Sequence, residues 1–211
     1  MPGHWRTAEQ EGQTKLRHSA SQKLFDYWNE LRRGRPAPER GEIEPSDIRA
    51  VLGDTFILEV STRFRTISFR LAGTRLCAAH GRELKGLGFL ALWSEDDNYE
   101  VASAVARVYR DSLPTLLSYS AKTSEGRSVE YEAVFLPLAT AADGNARILG
   151  IATPRSTPYW LGSEALTLNH LRSVRQIHLQ PAQLLQLPAG REAVPNRRFG
   201  HLTVLDGGKP Q

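Results

Sequence analysis

The sequence predicts an α+β fold in which five antiparallel strands form one sheet, with helices on one face and an amphipathic helix ahead of the sheet. Three observations support this prediction. Apolar residues recur at helical spacing near the start of the chain, as Leu24, Tyr27, Trp28 and Leu31. Five later segments alternate apolar and polar residues, as half-buried strands do. Two strands precede the helical segments and three follow them, which is typical of an α+β domain.

The chain of 211 residues divides into five predicted regions. Polar residues without periodicity predict a flexible N-terminal arm, and a terminal segment rich in Gly, Pro and Arg predicts disorder. A helical spacing of apolar residues over 166–187, broken by Pro181, predicts a helix in the C-terminal extension. The regions are 1–18 for the arm, 19–53 for the leading helix, proline-rich linker and short helix, 54–154 for the core, 155–188 for the extension and 189–211 for the disordered tail.

The helices carry recognisable start and stop signals. The leading helix is predicted to end at Gly34, ahead of the linker, and Pro45 suits the first position of the short helix. A longer helix is predicted to begin at Ser94, where Asp97 lies three residues on and completes a capping box. The five strands are predicted over 55–60, 66–71, 115–122, 128–138 and 146–153.

The composition excludes several classes of protein. No apolar run approaches the ~18 residues of a membrane-spanning helix, and the N-terminus lacks the apolar segment of a secretion signal. One cysteine excludes an internal disulfide and a cysteine-based zinc site within one chain, and these features together favour the cytoplasm. The 27 basic and 23 acidic residues are spread along the chain, which indicates solvated surface charge and no nucleic-acid site.

The glycines over 67–87 give the sequence a family resemblance. A strand runs into Gly73, a short helix ends at Gly81, and a turn follows at Gly86. The other matching positions are Tyr27-Trp28, Leu31-Arg32, Pro38, Arg40, Ile43, Pro45, 69–74 and 81–86. Over residues 24–153 the chain resembles Per-Arnt-Sim (PAS) sensory domains, and more narrowly it resembles short, stand-alone PAS-like proteins of alphaproteobacteria. The resemblance implies a PAS-like sheet and a role in regulation or signalling.

Cys77 and His80 are the candidate reactive side chains. A thiolate nucleophile needs a base or a positive charge within hydrogen-bond reach, whereas free cysteine is commonly a buried packing residue, and we expect packing here. PAS domains that bind flavin place their cysteine in an Asn-Cys-Arg-Phe-Leu-Gln motif, which Cys77 lacks. Those that bind haem commonly use a histidine on the long helix, and the segment 94–112 has none. The sequence therefore predicts no cofactor, no metal site and no catalytic residue.

Two functions are open at this point. The leading hypothesis is a cytoplasmic sensory or regulatory module that acts through contacts with a protein partner, with the stripe of Leu24, Tyr27, Trp28 and Leu31 docking on the core or forming a homodimer interface. The alternative is a sensor that binds a small apolar molecule on the concave face of the sheet. The residues predicted to line that pocket are Phe56, Leu58, Phe69, Leu71, Leu76, Phe89, Leu116 and Tyr131.

A third hypothesis is an enzyme of the nuclear-transport-factor-like isomerase type. Such an enzyme needs a carboxylate beside a tyrosine in its pocket. Glu130 and Glu132 alternate with Tyr131 along one strand, so they are predicted to lie on the opposite face of the sheet from it. The spacing therefore argues against this enzyme.

Overall fold

The structure, a computed structural model, describes residues 16–61, 63, 65–141 and 143–179. Three helices and six strands form its framework. The helices are α1 (Ser19–Arg32), α2 (Thr74–Ala79) and α3 (Glu95–Arg110), and 3-10 turns lie at Arg40–Glu42, Leu52–Asp54 and Phe89–Leu92. The strands are β1 (Thr55–Ser61), β2 (Thr66–Ala72), β3 (Thr115–Thr123), β4 (Ser128–Pro137), β5 (Ala146–Pro154) and β6 (Leu166–Gln176).

The strands of the described residues form one antiparallel sheet in the order β2-β1-β5-β4-β3-β6. The predicted α+β fold with one antiparallel sheet is confirmed, and the five expected strands are present at nearly the expected bounds. The first fifteen residues of the predicted arm and the predicted disordered tail lie outside the described residues. Residues 16–18 were assigned to the flexible arm, and this is wrong, because Leu16 is buried against the domain.

The helix predicted in the C-terminal extension is wrong over its first half, where the chain forms a sixth strand. β6 pairs with β3 along its whole length. Leu168, Leu171 and Val174 recur every three residues, which suggests a helix. The pairing of β3 with β6 has two irregularities, near Tyr119 and near Thr123, which interrupt strict alternation. The open edge of β3 therefore decides the structure of this segment through hydrogen bonds that local spacing does not reveal.

The inner face of the sheet is covered by α2, the 3-10 turn Phe89–Leu92 and α3. Phe56, Ala133 and Phe135 lie on this face with Val101 and Val105 of α3, and all of them are buried. Ser94 was predicted to form a capping box with Asp97, and the structure differs. The Ser94 hydroxyl donates to the Asp97 carboxylate at 2.5 Å, and the same carboxylate oxygen accepts the backbone N–H of Leu171 at 2.9 Å. Asp97 therefore joins the start of α3 to β6.

The outer face of the sheet is covered by α1. The sequence predicted helices on one face and did not place the leading helix, which the structure puts on the opposite face from α2 and α3. Leu24 and Trp28 are fully buried against Val134 and Leu136 of β4 and their neighbours. The Trp28 indole N–H donates to the carbonyl oxygen of Pro137 at 2.8 Å, so the buried ring leaves no unpaired donor.

The short helix predicted from Pro45 is wrong. Residues 45–51 form successive turns, in which Asp47 donates to Glu44 and Val51 donates to Ile48, and the 3-10 turn Leu52–Asp54 follows. Ile48 and Val51 are buried in the outer cluster as expected of an apolar stripe. Their spacing of three residues suits the tighter 3-10 geometry as well as an α-helix.

Gly73 is required by close packing and not by an unusual backbone angle. Its φ is −72°, which any residue adopts. A Cβ at this position would overlap the backbone carbonyl groups of Leu52 and Gly53. Gly81 and Gly86 do have positive φ, at 61° and 83°, as their turns require. Gly73 is therefore the point where the start of α2 packs directly against the turn ahead of β1.

We expect Trp28→Ala to lower the free energy of unfolding by about 3 to 5 kcal/mol, because it leaves a cavity under α1 and an unpaired Pro137 carbonyl. Urea denaturation followed by circular dichroism measures the change. Glu30→Ala on the exposed side of the same helix is the control, and should change the free energy by less than about 0.5 kcal/mol. Equal effects of the two variants would contradict the placement of α1.

Candidate functional site

Six of the eight residues predicted to line a pocket lie together on the inner face of the sheet. They share one buried cluster beneath α2 and α3, and they are Phe56, Leu58, Phe69, Leu76, Phe89 and Tyr131. We call this cluster, with the other residues of the inner face, the inner core. Whether these residues serve a ligand is a separate question, because shared burial is also what a packed core requires.

Leu71 and Leu116 do not belong to the inner core, and their assignment to the pocket is wrong. The pairing of β1 with β2 has a bulge, so Ile57 lies opposite Leu71 while Leu58 lies opposite Phe69. The extra residue turns Leu71 to the outer side, where its side chain is 41% exposed. Leu116 pairs with Val134 and packs in the outer cluster beneath α1.

Aromatic rings fill most of the inner core. Phe56 meets Phe69 and Phe135 edge to face, with ring centroids 5.9 and 5.4 Å apart. Phe89 continues the chain of contacts to Phe69 and Trp93, at 5.6 and 5.8 Å. A cavity of about 30 Å³ remains among these rings. This volume is about that of one water molecule. Typical ligand pockets are far larger, with volumes of about 300 to 1,000 Å³.

Two polar groups of this core cavity were not found from the sequence. The indole N–H of Trp93 and the side-chain carbonyl of Asn169 are buried without a hydrogen-bond partner among the described residues, and both side chains line the cavity. Asn169 comes from β6, which the sequence assigned to a helix, so only the sheet topology brings it to the core. The cavity therefore suits a single hydrogen-bonding molecule such as water.

His80 and Cys77 both make packing and hydrogen-bond contacts within the domain. The Nδ1 atom of His80 lies 2.9 Å from the carbonyl oxygen of Leu166, which joins the end of α2 to β6, and burial lowers the pKa of His80. Cys77 packs half-buried against the inner core, with its sulfur 3.5 Å from the Glu83 carboxylate. Burial raises the pKa of Cys77, and the Glu83 charge adds to that rise. Both effects disfavour the thiolate form that a nucleophilic cysteine needs.

A larger pocket of about 290 Å³ lies at the end of the sheet where β4 begins and β5 ends. We call it the end pocket. Its walls come from α2, from the final residues of β5, from the loop 157–162 and from His18 ahead of α1. Of the predicted pocket residues, only Leu76 and Tyr131 line it. Its polar lining includes Asp54 and Arg75, a pair of residues that the sequence analysis did not identify.

Asp54 and Arg75 form a two-point ion pair. The Arg75 Nε and Nη2 atoms donate to the two carboxylate oxygens of Asp54 at 2.7 and 2.6 Å. Asp54 is thus a carboxylate in the same pocket as Tyr131, which is the feature required by the isomerase hypothesis. Both of its oxygens already accept charge-assisted hydrogen bonds, which makes it a poor general base. Glu132 lies on the outer face as predicted and accepts the backbone N–H groups of Arg17 and His18 at 3.0 and 3.2 Å.

The stripe predicted as a docking or dimer surface faces the chain's own sheet. Leu24 and Trp28 have no exposed area, while Tyr27 and Leu31 are half-buried beside them. The Tyr27 hydroxyl accepts the backbone N–H of Glu44 at 2.9 Å. In this structure the stripe holds α1 to the outer face and is not open to a second copy of the chain.

The described residues hold no group of three or more histidine, cysteine, aspartate or glutamate side chains that could bind a metal ion. No helix among them is both long and apolar enough to cross a membrane.

Comparison with known proteins identifies one family. The model of the PAS domain family matches residues 16–153. Comparison with curated proteins finds no match. Among solved structures, the chain is similar to one described as "Structure of an RNA-binding Light-Oxygen-Voltage Receptor", with 15% sequence identity and a TM-score of 0.36. That alignment covers 50% of this chain and 32% of the receptor chain, so this chain spans about a third of the length of that relative.

The buried His80 predicts a pH dependence of stability. Burial lowers the pKa of His80 in the folded state, the charge of Arg82 acts in the same direction, and the hydrogen bond with Leu166 opposes them. As the pH falls below the ordinary histidine pKa of about 6.5, the unfolded chain binds a proton that the folded chain resists. The contribution of His80 to stability is therefore complete above that pH and is lost as the pH falls towards the lowered pKa.

Urea denaturation between about pH 7 and pH 5 measures this loss. The variant His80→Asn keeps a donor for the Leu166 carbonyl and removes the titration, so its stability should fall less steeply with acid than that of the unmodified chain. His170→Gln, which removes a half-buried histidine of β6, is the control and should retain the steep fall. Parallel pH profiles for the unmodified chain and His80→Asn would contradict the role of His80.

Proposed function

Because the chain belongs to the PAS domain family, a family of sensory modules, we propose that it is a regulatory module that acts through contacts with a protein partner and has no catalytic activity of its own. The closed inner core is the observation that carries the proposal. A cavity of about 30 Å³ leaves no room for a flavin or a haem in this conformation, since such groups need at least several hundred cubic ångströms. The narrower assignment to stand-alone bacterial members stays a prediction, as does the cytoplasmic location.

The loop after β5 offers a surface suited to a partner. Tyr159 is 89% exposed, although its ring is held by Arg127. The Arg127 guanidinium lies 5.7 Å from the ring centre, and the same side chain forms an ion pair with Glu164 at 2.6 Å. Trp160 beside it is buried and anchors the loop. Tyrosine and arginine dominate the binding energy of many interfaces, and a side chain that is already held loses less entropy on binding.

We expect Tyr159 to contact the partner directly. A photo-crosslinking amino acid at position 159, introduced in the organism of origin, should capture a partner that mass spectrometry identifies. With the purified partner, Tyr159→Ala should raise the dissociation constant about 30-fold, the loss typical of an interface hot spot. Isothermal titration calorimetry measures the change.

Tyr99 supplies a matched control, because its side chain is 85% exposed on α3 and distant in sequence from the loop. Tyr99→Ala should leave the affinity unchanged, and neither substitution should alter the thermal unfolding temperature. An unchanged affinity in Tyr159→Ala, or the same loss in Tyr99→Ala, would refute the assignment of this surface.

Binding of a small molecule is the second candidate function, and the end pocket favours it. Its volume of about 290 Å³ is near the lower limit of ligand pockets. Of the aromatic rings of the inner core, only that of Tyr131 lines the pocket among the described residues, so binding there does not require the core cavity to open.

A further inference from the structure

The end pocket presents hydrogen-bond donors that the chain itself does not use. Among the described residues, none accepts or donates a hydrogen bond at the Tyr131 hydroxyl, whose ring stacks on Tyr119 with centroids 5.3 Å apart. Burial raises the pKa of Tyr131, and the negative charge of Asp54 raises it further. The hydroxyl is therefore protonated at neutral pH and can donate.

His18 and Arg75 add two more donors. The His18 Nδ1 atom accepts the backbone N–H of Ala20 at 3.2 Å, so the proton of the neutral ring lies on Nε2. The Nε and Nη2 atoms of Arg75 donate hydrogen bonds to Asp54. The hydrogens of Nη1 are therefore left for another acceptor. Each of these side chains lines the end pocket.

The charges of the pocket cancel. Arg75 and Asp54 are its charged side chains, and they neutralise each other in a two-point ion pair. The remaining walls are mostly apolar and include Leu76, Ala79 and Leu161. A ligand with a net charge would lose hydration without gaining a free counter-charge. An uncharged ligand with an accepting oxygen would gain hydrogen bonds and bury apolar surface.

We propose that the end pocket binds a small uncharged molecule with an apolar body and a hydrogen-bond-accepting oxygen, such as a carbonyl compound, held by Tyr131, His18 and Arg75. This site is distinct from the core cavity, because only Leu76 and Ala152 among the described residues line both. Neither this proposal nor the protein contact at Tyr159 depends on the other, because ligand binding is measured on the isolated chain.

Occupation of the end pocket acts on the start of α1. His18 is both a wall of the pocket and the N-cap of α1. Thr153 also lines the pocket, and its hydroxyl oxygen lies 3.4 Å from that of Ser21 in the first turn of α1. A ligand held against these two side chains restrains the turn that they contact. Binding therefore slows hydrogen exchange at residues 20–23.

The test uses the full chain and the neutral probes acetophenone, coumarin and acetanilide, with benzoate as the charged counterpart of similar size. Chemical-shift titration at millimolar concentrations gives the dissociation constants. We expect at least one neutral probe to bind more tightly than benzoate and to slow exchange at residues 20–23. Tyr131→Phe should weaken this binding about fivefold, as expected for one neutral hydrogen bond.

Two variants serve as a block and a control. Ala78 is exposed on α2 and lines the pocket, so Ala78→Phe should fill it, weaken binding at least tenfold and abolish the exchange effect without unfolding the chain. Tyr119→Phe removes a neighbouring buried hydroxyl outside the end pocket and should leave binding unchanged. The proposal is overturned by absence of binding for every neutral probe, by tighter binding of benzoate, or by undiminished binding in a folded Ala78→Phe variant.

Discussion

Burial of both faces of the central strands β4 and β5 is the constraint on which the rest of this structure depends. Val134 and Leu136 of β4 point to one side, while Ala133 and Phe135 point to the other, and all four are buried. One layer of helices cannot cover both faces. α1 is therefore an integral part of the domain, and its apolar stripe is buried against the sheet.

This constraint covers both faces of the sheet. The inner face is filled by aromatic rings and the outer face is covered by α1, so both surfaces proposed here for binding lie at edges and loops. Several elements meet where β4 begins and β5 ends. There the buried Glu132 carboxylate accepts two backbone N–H groups ahead of α1, and a buried charge left without such partners costs about 3 to 5 kcal/mol. The start of α1 is therefore firmly attached beside the end pocket.

The sequence predicted much of the framework because local patterns specify it. Period-two alternation located β1 to β5, and the capping signal at Ser94 located the start of α3. Features set by distant partners were missed. β6 follows the open edge of β3, and Leu71 faces outward because of a bulge that alternation cannot reveal.

The candidate sites were harder to predict for the same reason. Trp93 and Asn169 are 76 positions apart and meet only through β6. The end pocket combines residues from before α1, from α2 and from the loop after β5. No single segment carries a motif for it. For Glu132 the sequence was partly sufficient. Alternation correctly placed it on the opposite face of the sheet from Tyr131, but only the structure shows that it binds the backbone ahead of α1.

Native-state hydrogen exchange across the chain tests most directly whether α1 belongs to the core. In this account the amides of Leu24 to Trp28 open only with global unfolding, so their opening free energy should equal that of the slowest amides of β4 and β5. The loop 157–162 should open at a lower free energy. Opening of the α1 amides well below the free energy of the central strands would show that α1 is a detachable element, and would contradict the account.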